Sequence, residues 1–134
     1  MDILNEGVFA MIDFSNAKYL KLHPEKPDKF LPTIRPILLV GEEIVACYQS
    51  VRDYLLFTTK RIISVNVQGV IGKKQDFTSL PYARIQAFSV ETAGMLDLDT
   101  ELELWFSGLG KVHLEFTSGS DIAAICRLIG EAVI

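Results

Sequence analysis

From Leu96 to Phe106 the chain alternates. Leu96, Leu98, Leu102, Leu104 and Phe106 are apolar at even positions, while Asp97, Asp99, Glu101 and Glu103 occupy odd ones. A period of two is that of a strand, whose successive side chains point to opposite sides, so one side of this segment is dry and the other wet. Gly108 and Gly110 mark a hairpin turn, and Lys111 to Thr117 returns with Val112, Leu114 and Phe116 inward and Lys111, His113 and Glu115 outward. A dry face needs a second layer to cover it. The last segment supplies one by changing period: Ile122, Ile125, Cys126, Ile129 and Val133 recur every three or four residues, which predicts an amphipathic helix from Asp121 to Val133. Ser120 is the expected N-cap, and Asp121 suits the positive end of the helix dipole.

Upstream, short β-rich segments are separated by turn residues. Strands are expected at Ile44–Gln49, Tyr54–Thr58, Arg61–Gln68, Asp76–Leu80 and Arg84–Glu91. With the hairpin they make seven. Seven short antiparallel strands and one terminal helix predict a mainly β fold, a strongly bent, partly open barrel of two near-orthogonal sheets, four strands and three, capped by the helix. The first 36 residues have another texture. Ile3, Leu4, Val8, Met11 and Ile12 are spaced for a short helix between Asp2 and Phe14, and Pro24, Pro27, Pro32 and Pro36 then fall within a short stretch. Prolines at that density forbid a continuous helix and disfavour a central strand. Residues 1–36 are therefore expected to form a helical and proline-rich extension, and 37–134 the folded domain.

Composition excludes several function classes. With 22% charged and 49% hydrophobic residues the chain is not of the disordered class. Thirteen basic against 17 acidic residues give a net charge of -4, the wrong sign for a binder of nucleic acid through its phosphates. The apolar stretch Ile34 to Val40 is broken by Arg35 and Pro36 and falls far short of the roughly 20 residues of a spanning helix. The N-terminal residues are acidic where a secretory signal carries Lys or Arg. Cys47 and Cys126 lie among apolar residues without a CxxC partner, as buried reduced thiols do, so a cytoplasmic location is expected. No P-loop, paired nucleophile and base, or His and Cys at ligand spacing is present, so no enzyme activity, cofactor or metal is expected.

A set of short strings, in order, gives the chain a family likeness. Glu42-Glu43, Arg52-Asp53, Phe57-Thr58-Thr59-Lys60-Arg61-Ile62, Gln68-Gly69, Gly72-Lys73-Lys74, Pro81-Tyr82, Phe88-Ser89-Val90-Glu91-Thr92-Ala93-Gly94, Asp97-Leu98-Asp99, Glu101-Leu102, Trp105 and Ser107-Gly108 together resemble the bacterial pleckstrin-homology-like (PH-like) domain family. The likeness runs from about Ile37 to the C-terminus. It implies the seven-stranded, helix-capped fold without catalytic activity. It further implies assembly into closed homo-oligomeric rings, here preferably five-membered, with a hydrophilic surface between subunits that binds an unidentified protein.

Candidate interaction residues follow. Gly72-Lys73-Lys74 is a basic loop of the kind that holds anionic head groups in domains of this fold, although a solvated turn explains it as simply. Arg52 is better placed by that analogy, yet Asp53 beside it cancels part of its charge, and the two as a pair at a subunit contact are an equal reading. Glu91, Asp97 and Asp99 are the acidic candidates. The acidic face from Asp97 to Glu103 invites a metal reading, but same-face residues on one strand stand nearly 7 Å apart, so one ion needs ligands from another segment. A solvated face with cross-strand pairs to Lys111 is preferred, and Glu115 ranks behind Asp97 and Asp99. Trp105 falls on the acidic side, where coverage by a neighbouring subunit or the N-terminal arm is expected. Binding of an anionic lipid or phosphate head group through Arg52, Lys73 and Lys74 is the alternative function, with a membrane surface the less favoured partner.

Overall fold

A computed structural model describes residues 17–69, 74–92, 99–117 and 120–134. The helix expected between Asp2 and Phe14 lies outside the described residues, as do Lys73 and Asp97. Among the described residues eight strands form one sheet: β1 (Ala17–Glu25), β2 (Ile44–Ser50), β3 (Asp53–Thr58), β4 (Arg61–Gln68), β5 (Lys74–Pro81), β6 (Ile85–Thr92), β7 (Thr100–Phe106) and β8 (Gly110–Phe116). Their spatial order is β5-β4-β3-β2-β1-β8-β7-β6, so β5 and β6 are its two edges. The fold is mainly β and closed by a C-terminal helix, as the periodicities predict. It has eight strands instead of seven because the extra one comes from the proline-rich segment.

That strand lies within residues 1–36. β1 is central: Ala17 to Tyr19 pair in parallel with Val112 to Leu114 of β8, and His23 to Glu25 pair antiparallel with Gln49 to Cys47 of β2. The change of partner falls where Lys21 takes a positive φ of 56° and the register shifts between Tyr19 and Leu22. β1 thus joins the four-stranded and three-stranded halves expected from the sequence. Pro24 is tolerated because the β8 ladder ends at Leu22, leaving β1 with one neighbour there and no second ladder to lose.

Two cores explain the burial pattern. Leu55, Phe57, Ile62, Leu102, Leu104, Val112, Leu114 and Phe116 form the barrel interior, closed by α2 (Ile122–Val133) through Ile122, Ile125 and Ile129. On the outer face, Cys47, Tyr54, Leu56, Ile63 and Val65 are covered by the segment from Pro27 to Leu38, which includes the single turn α1 (Leu31–Ile34). Phe30 stacks on Tyr54 with centroids 3.8 Å apart, and Ile34 is fully buried. Tyr54 to Thr58 and Ile62 to Val65 are therefore buried as runs, without alternation, because both faces of β3 and β4 are dry.

The helix starts one residue later than expected. Asp121 is the N-cap, its Oδ1 accepting from the Ala124 N–H at 3.2 Å, while the Ser120 hydroxyl donates to the Thr117 carbonyl at 3.0 Å. Among the described residues no helix is long and apolar enough to cross a membrane.

Candidate functional site

The outer face of β6, β7 and β8 carries the acidic residues. Strand register places Glu91 opposite Glu101 and Glu101 opposite Glu115, three carboxylates in a row across three strands. Like charges directly opposite one another on a sheet are unfavourable, so nothing in the stability of the fold asks for this row. With Thr92, Asp99 and Thr100 they line an open cleft of about 420 Å³. The sequence candidates Glu91 and Asp99 are thus brought together, and Glu115 joins them from the neighbouring strand. Burying Leu102, Leu104, Val112 and Leu114 on the other face fixes this parity.

One residue pair further along, the same face is neutralised. Glu103 accepts from Lys111 Nζ at 3.1 Å, the cross-strand pair that the sequence predicts, and its Oε2 lies 3.1 Å from His113 Nδ1. The hydrogen bond with His113, then that with Lys111, holds the Glu103 carboxyl below its usual range. Trp105, between Ala87 and Lys111 in register, is half-buried within the chain.

The basic candidates lie on the other half of the sheet, Arg52 in the β2–β3 turn and Lys74 at the start of β5. Arg52 and Asp53 do not pair with each other. Arg52 Nη2 donates to the Gly69 carbonyl at 2.6 Å, and Asp53 Oδ1 accepts from the Val67 N–H at 2.9 Å, so the two tie the β2–β3 turn to the end of β4. Lys74 opens β5 opposite Gln68 and is exposed.

Sequence reasoning missed a densely bonded polar knot around Glu42, Thr58 and Arg61. The Glu42 side chain is fully buried. Its Oε2 accepts from Thr58 Oγ1 at 2.6 Å and Arg61 Nε at 2.9 Å, and its Oε1 from Arg61 Nη2 and the Leu39 N–H, both at 2.9 Å. Burial pushes its pKa up, but the bonds from Arg61, Leu39 and Thr58 together outweigh it and bring the group to about 2. The only signal in the sequence is Glu42 itself, an acid just before an apolar strand. This knot is structural and has no open face for chemistry. Cys47 is buried with its thiol pushed up to about 12, first by desolvation and then by Glu25, and desolvation also raises Cys126, so neither is a thiolate nucleophile at neutral pH.

Comparison with known proteins places this geometry. The profile of the bacterial PH domain family matches residues 13–133, starting ahead of β1. The chain is 47% identical over 95 residues to the uncharacterized protein YjqA of Bacillus subtilis, covering 69% of this chain and 76% of that one. It is 34% identical over 119 residues to YozO of the same organism, covering 89% and 90%. A crystal structure of a DUF1696 family protein with a pleckstrin-homology domain from Shewanella loihica superposes with a TM-score of 0.72 at 35% identity, covering 87% of this chain and all of that one.

Proposed function

We propose, from the premise that the chain belongs to the bacterial PH domain family, that it is a non-enzymatic, cytoplasmic interaction module. It assembles with copies of itself into a closed ring, five-membered by preference, and presents a hydrophilic surface between subunits to a protein partner. One observation carries the reading. Among the described residues the edge strands are β5 and β6, and their surroundings differ: Lys74 and Asp76 lie on β5, Arg52 sits in the β2–β3 turn bonded to the end of β4, and Glu91, Asp99, Glu101 and Glu115 gather on the β6 side. An unpaired edge is a template for another chain, and two unlike ends favour a head-to-tail contact, which forms a ring when the rotation between copies closes.

Light scattering after size exclusion tests it. A five-membered ring weighs about 75 kDa, five times the 15.0 kDa chain. A single 15 kDa species at tens of micromolar would remove the ring. The lipid reading has weaker support, because the Arg52 guanidinium is already engaged by Gly69. It requires salt-sensitive binding to anionic vesicles that is lost on Lys73→Glu with Lys74→Glu.

A further inference from the structure

β7 and β8 gather metal-ligating groups that are dispersed in the sequence. Along either strand alone, same-face donors are nearly 7 Å apart, too far for one ion. Across the strands, Glu101 stands opposite Glu115 and Glu103 opposite His113. One carboxylate oxygen from Glu101, one from Glu115 and one ring nitrogen of His113 consequently lie within 4.8 Å of one another.

The imidazole is already oriented for ligation. His113 Nδ1 is 3.1 Å from Glu103 Oε2, and Glu103 is itself held by Lys111 at 3.1 Å. With the proton on Nδ1 donated to Glu103, the lone pair sits on Nε2, the nitrogen facing Glu101 Oε1 at 3.8 Å. Metal-binding histidines are fixed in this manner, with the second ring N–H given to a carboxylate that sets the tautomer and raises the basicity of the ligating nitrogen. The His113 side chain is only 15% exposed and is held in place, whereas Glu101, at 42%, is free to swing toward an ion. Bonds of about 2.1 Å to a shared ion require the three donors to draw together by roughly 1 Å, within reach of a glutamate rotamer.

We propose that Glu101, His113 and Glu115 bind a divalent first-row transition cation such as Zn²⁺, with Glu103 as a positioning residue. The cleft lined by Glu91 and Asp99 leaves the outer coordination positions to water. One imidazole with two carboxylates suits this class of ion, whereas Ca²⁺ and Mg²⁺ prefer all-oxygen shells. A cation there also removes the repulsion between Glu101 and Glu115. The site is complete within one chain, so it stands or falls separately from ring assembly.

Calorimetric titration of the full chain with Zn²⁺ at pH 7, followed by imidazole NMR, tests the site. One saturable site per chain is expected, with Mg²⁺ binding at least tenfold weaker, and with the His113 ring signals shifting while those of His23 do not. His113→Asn and Glu115→Gln are each expected to weaken Zn²⁺ at least tenfold. Glu103→Gln is expected to weaken it about tenfold with all three ligands intact, as outer-shell changes do. Glu115→Gln relieves a like-charge pair, so its metal-free melting temperature should not fall; loss of binding in that variant is therefore not loss of fold. No saturable heat up to millimolar Zn²⁺, equal affinity in His113→Asn, or shifts confined to His23 would overturn the proposal.

Discussion

At the scale of single residues, Glu42 and Val51 mark the two extremes of local energetics. Glu42 is an ionised group without solvent contact, tolerated because Arg61, Thr58 and the Leu39 amide fill its lone pairs. Removing one partner of such a pair leaves the other buried and uncompensated, so Glu42→Gln should destabilise the protein by about 3 kcal/mol at pH 7 in urea melts. The pH dependence has a definite sign. The folded pKa of about 2 lies below the ordinary 4.5, so the ionised form's contribution is complete above pH 4.5 and is lost as pH falls through 2. Wild type and Glu42→Gln should therefore converge in stability between those values, and parallel curves would show that the knot does not titrate. Val51 is the opposite case, a β-branched residue 90% exposed with φ of 52° in the two-residue connection between Ser50 and Asp53. A first central residue at positive φ is glycine's place in a hairpin. Val51→Gly should stabilise by about 1 kcal/mol, because relief of strain exceeds the added freedom of the unfolded chain; a lower denaturation midpoint would contradict this.

At the scale of elements, the segment from Pro27 to Leu38 turns a half-exposed sheet into one buried on both faces. Phe30 is its anchor, 7% exposed and stacked on Tyr54. Truncating a buried aromatic costs about 3 kcal/mol or more, so Phe30→Ala should lower the urea midpoint by that equivalent. It should also speed amide exchange in β3 before α2, because the barrel interior does not touch Phe30; uniform acceleration would mean that the two cores melt as one. This element also shows where sequence was legible and where it was not. β7, β8 and α2 each have one dry side, so their periods of 2 and 3.6 announce them, and their observed bounds fall within a few residues of expectation. β1 has no such period. It bends at Lys21, changes neighbours midway and carries Pro24 in its second half, so each half obeys a local rule that the whole strand breaks. The acidic row was half legible: alternation placed Glu101 and Glu115 outward, but only register sets them side by side. Register is a property of two strands, fixed here by the hairpin at Gly108 and Gly110 and by the buried leucines, and a single strand's pattern does not contain it.

At the scale of the whole molecule, the net charge of -4 is unevenly spread, with the carboxylates Glu91, Asp99, Glu101 and Glu115 gathered on the β6 side of the sheet. The mean hydropathy of +0.28 is high for so small a chain, and part of the apolar content is buried within it, in the second core under Phe30 and Ile34. The ring proposed above joins edges of unlike charge, so its assembly should be sensitive to charge. Reversing the acidic end with Glu91→Lys, Asp99→Lys, Glu101→Lys and Glu115→Lys makes that end positive; reversing the basic end with Arg52→Glu and Lys74→Glu makes that end negative, so that each variant carries one sign at both ends. Each alone should sediment as a monomer, since every head-to-tail contact then joins like charges. An equimolar mixture should reassemble, because the altered ends of the two variants then meet each other with opposite charge, and their native ends do likewise. Strict alternation cannot close an odd ring, so the mixed assembly should weigh about 60 or 90 kDa, four or six times 15.0 kDa, and not 75. A mixture that stays monomeric would argue against charge-matched head-to-tail contacts, and variants that assemble alone would show that the contact lies elsewhere.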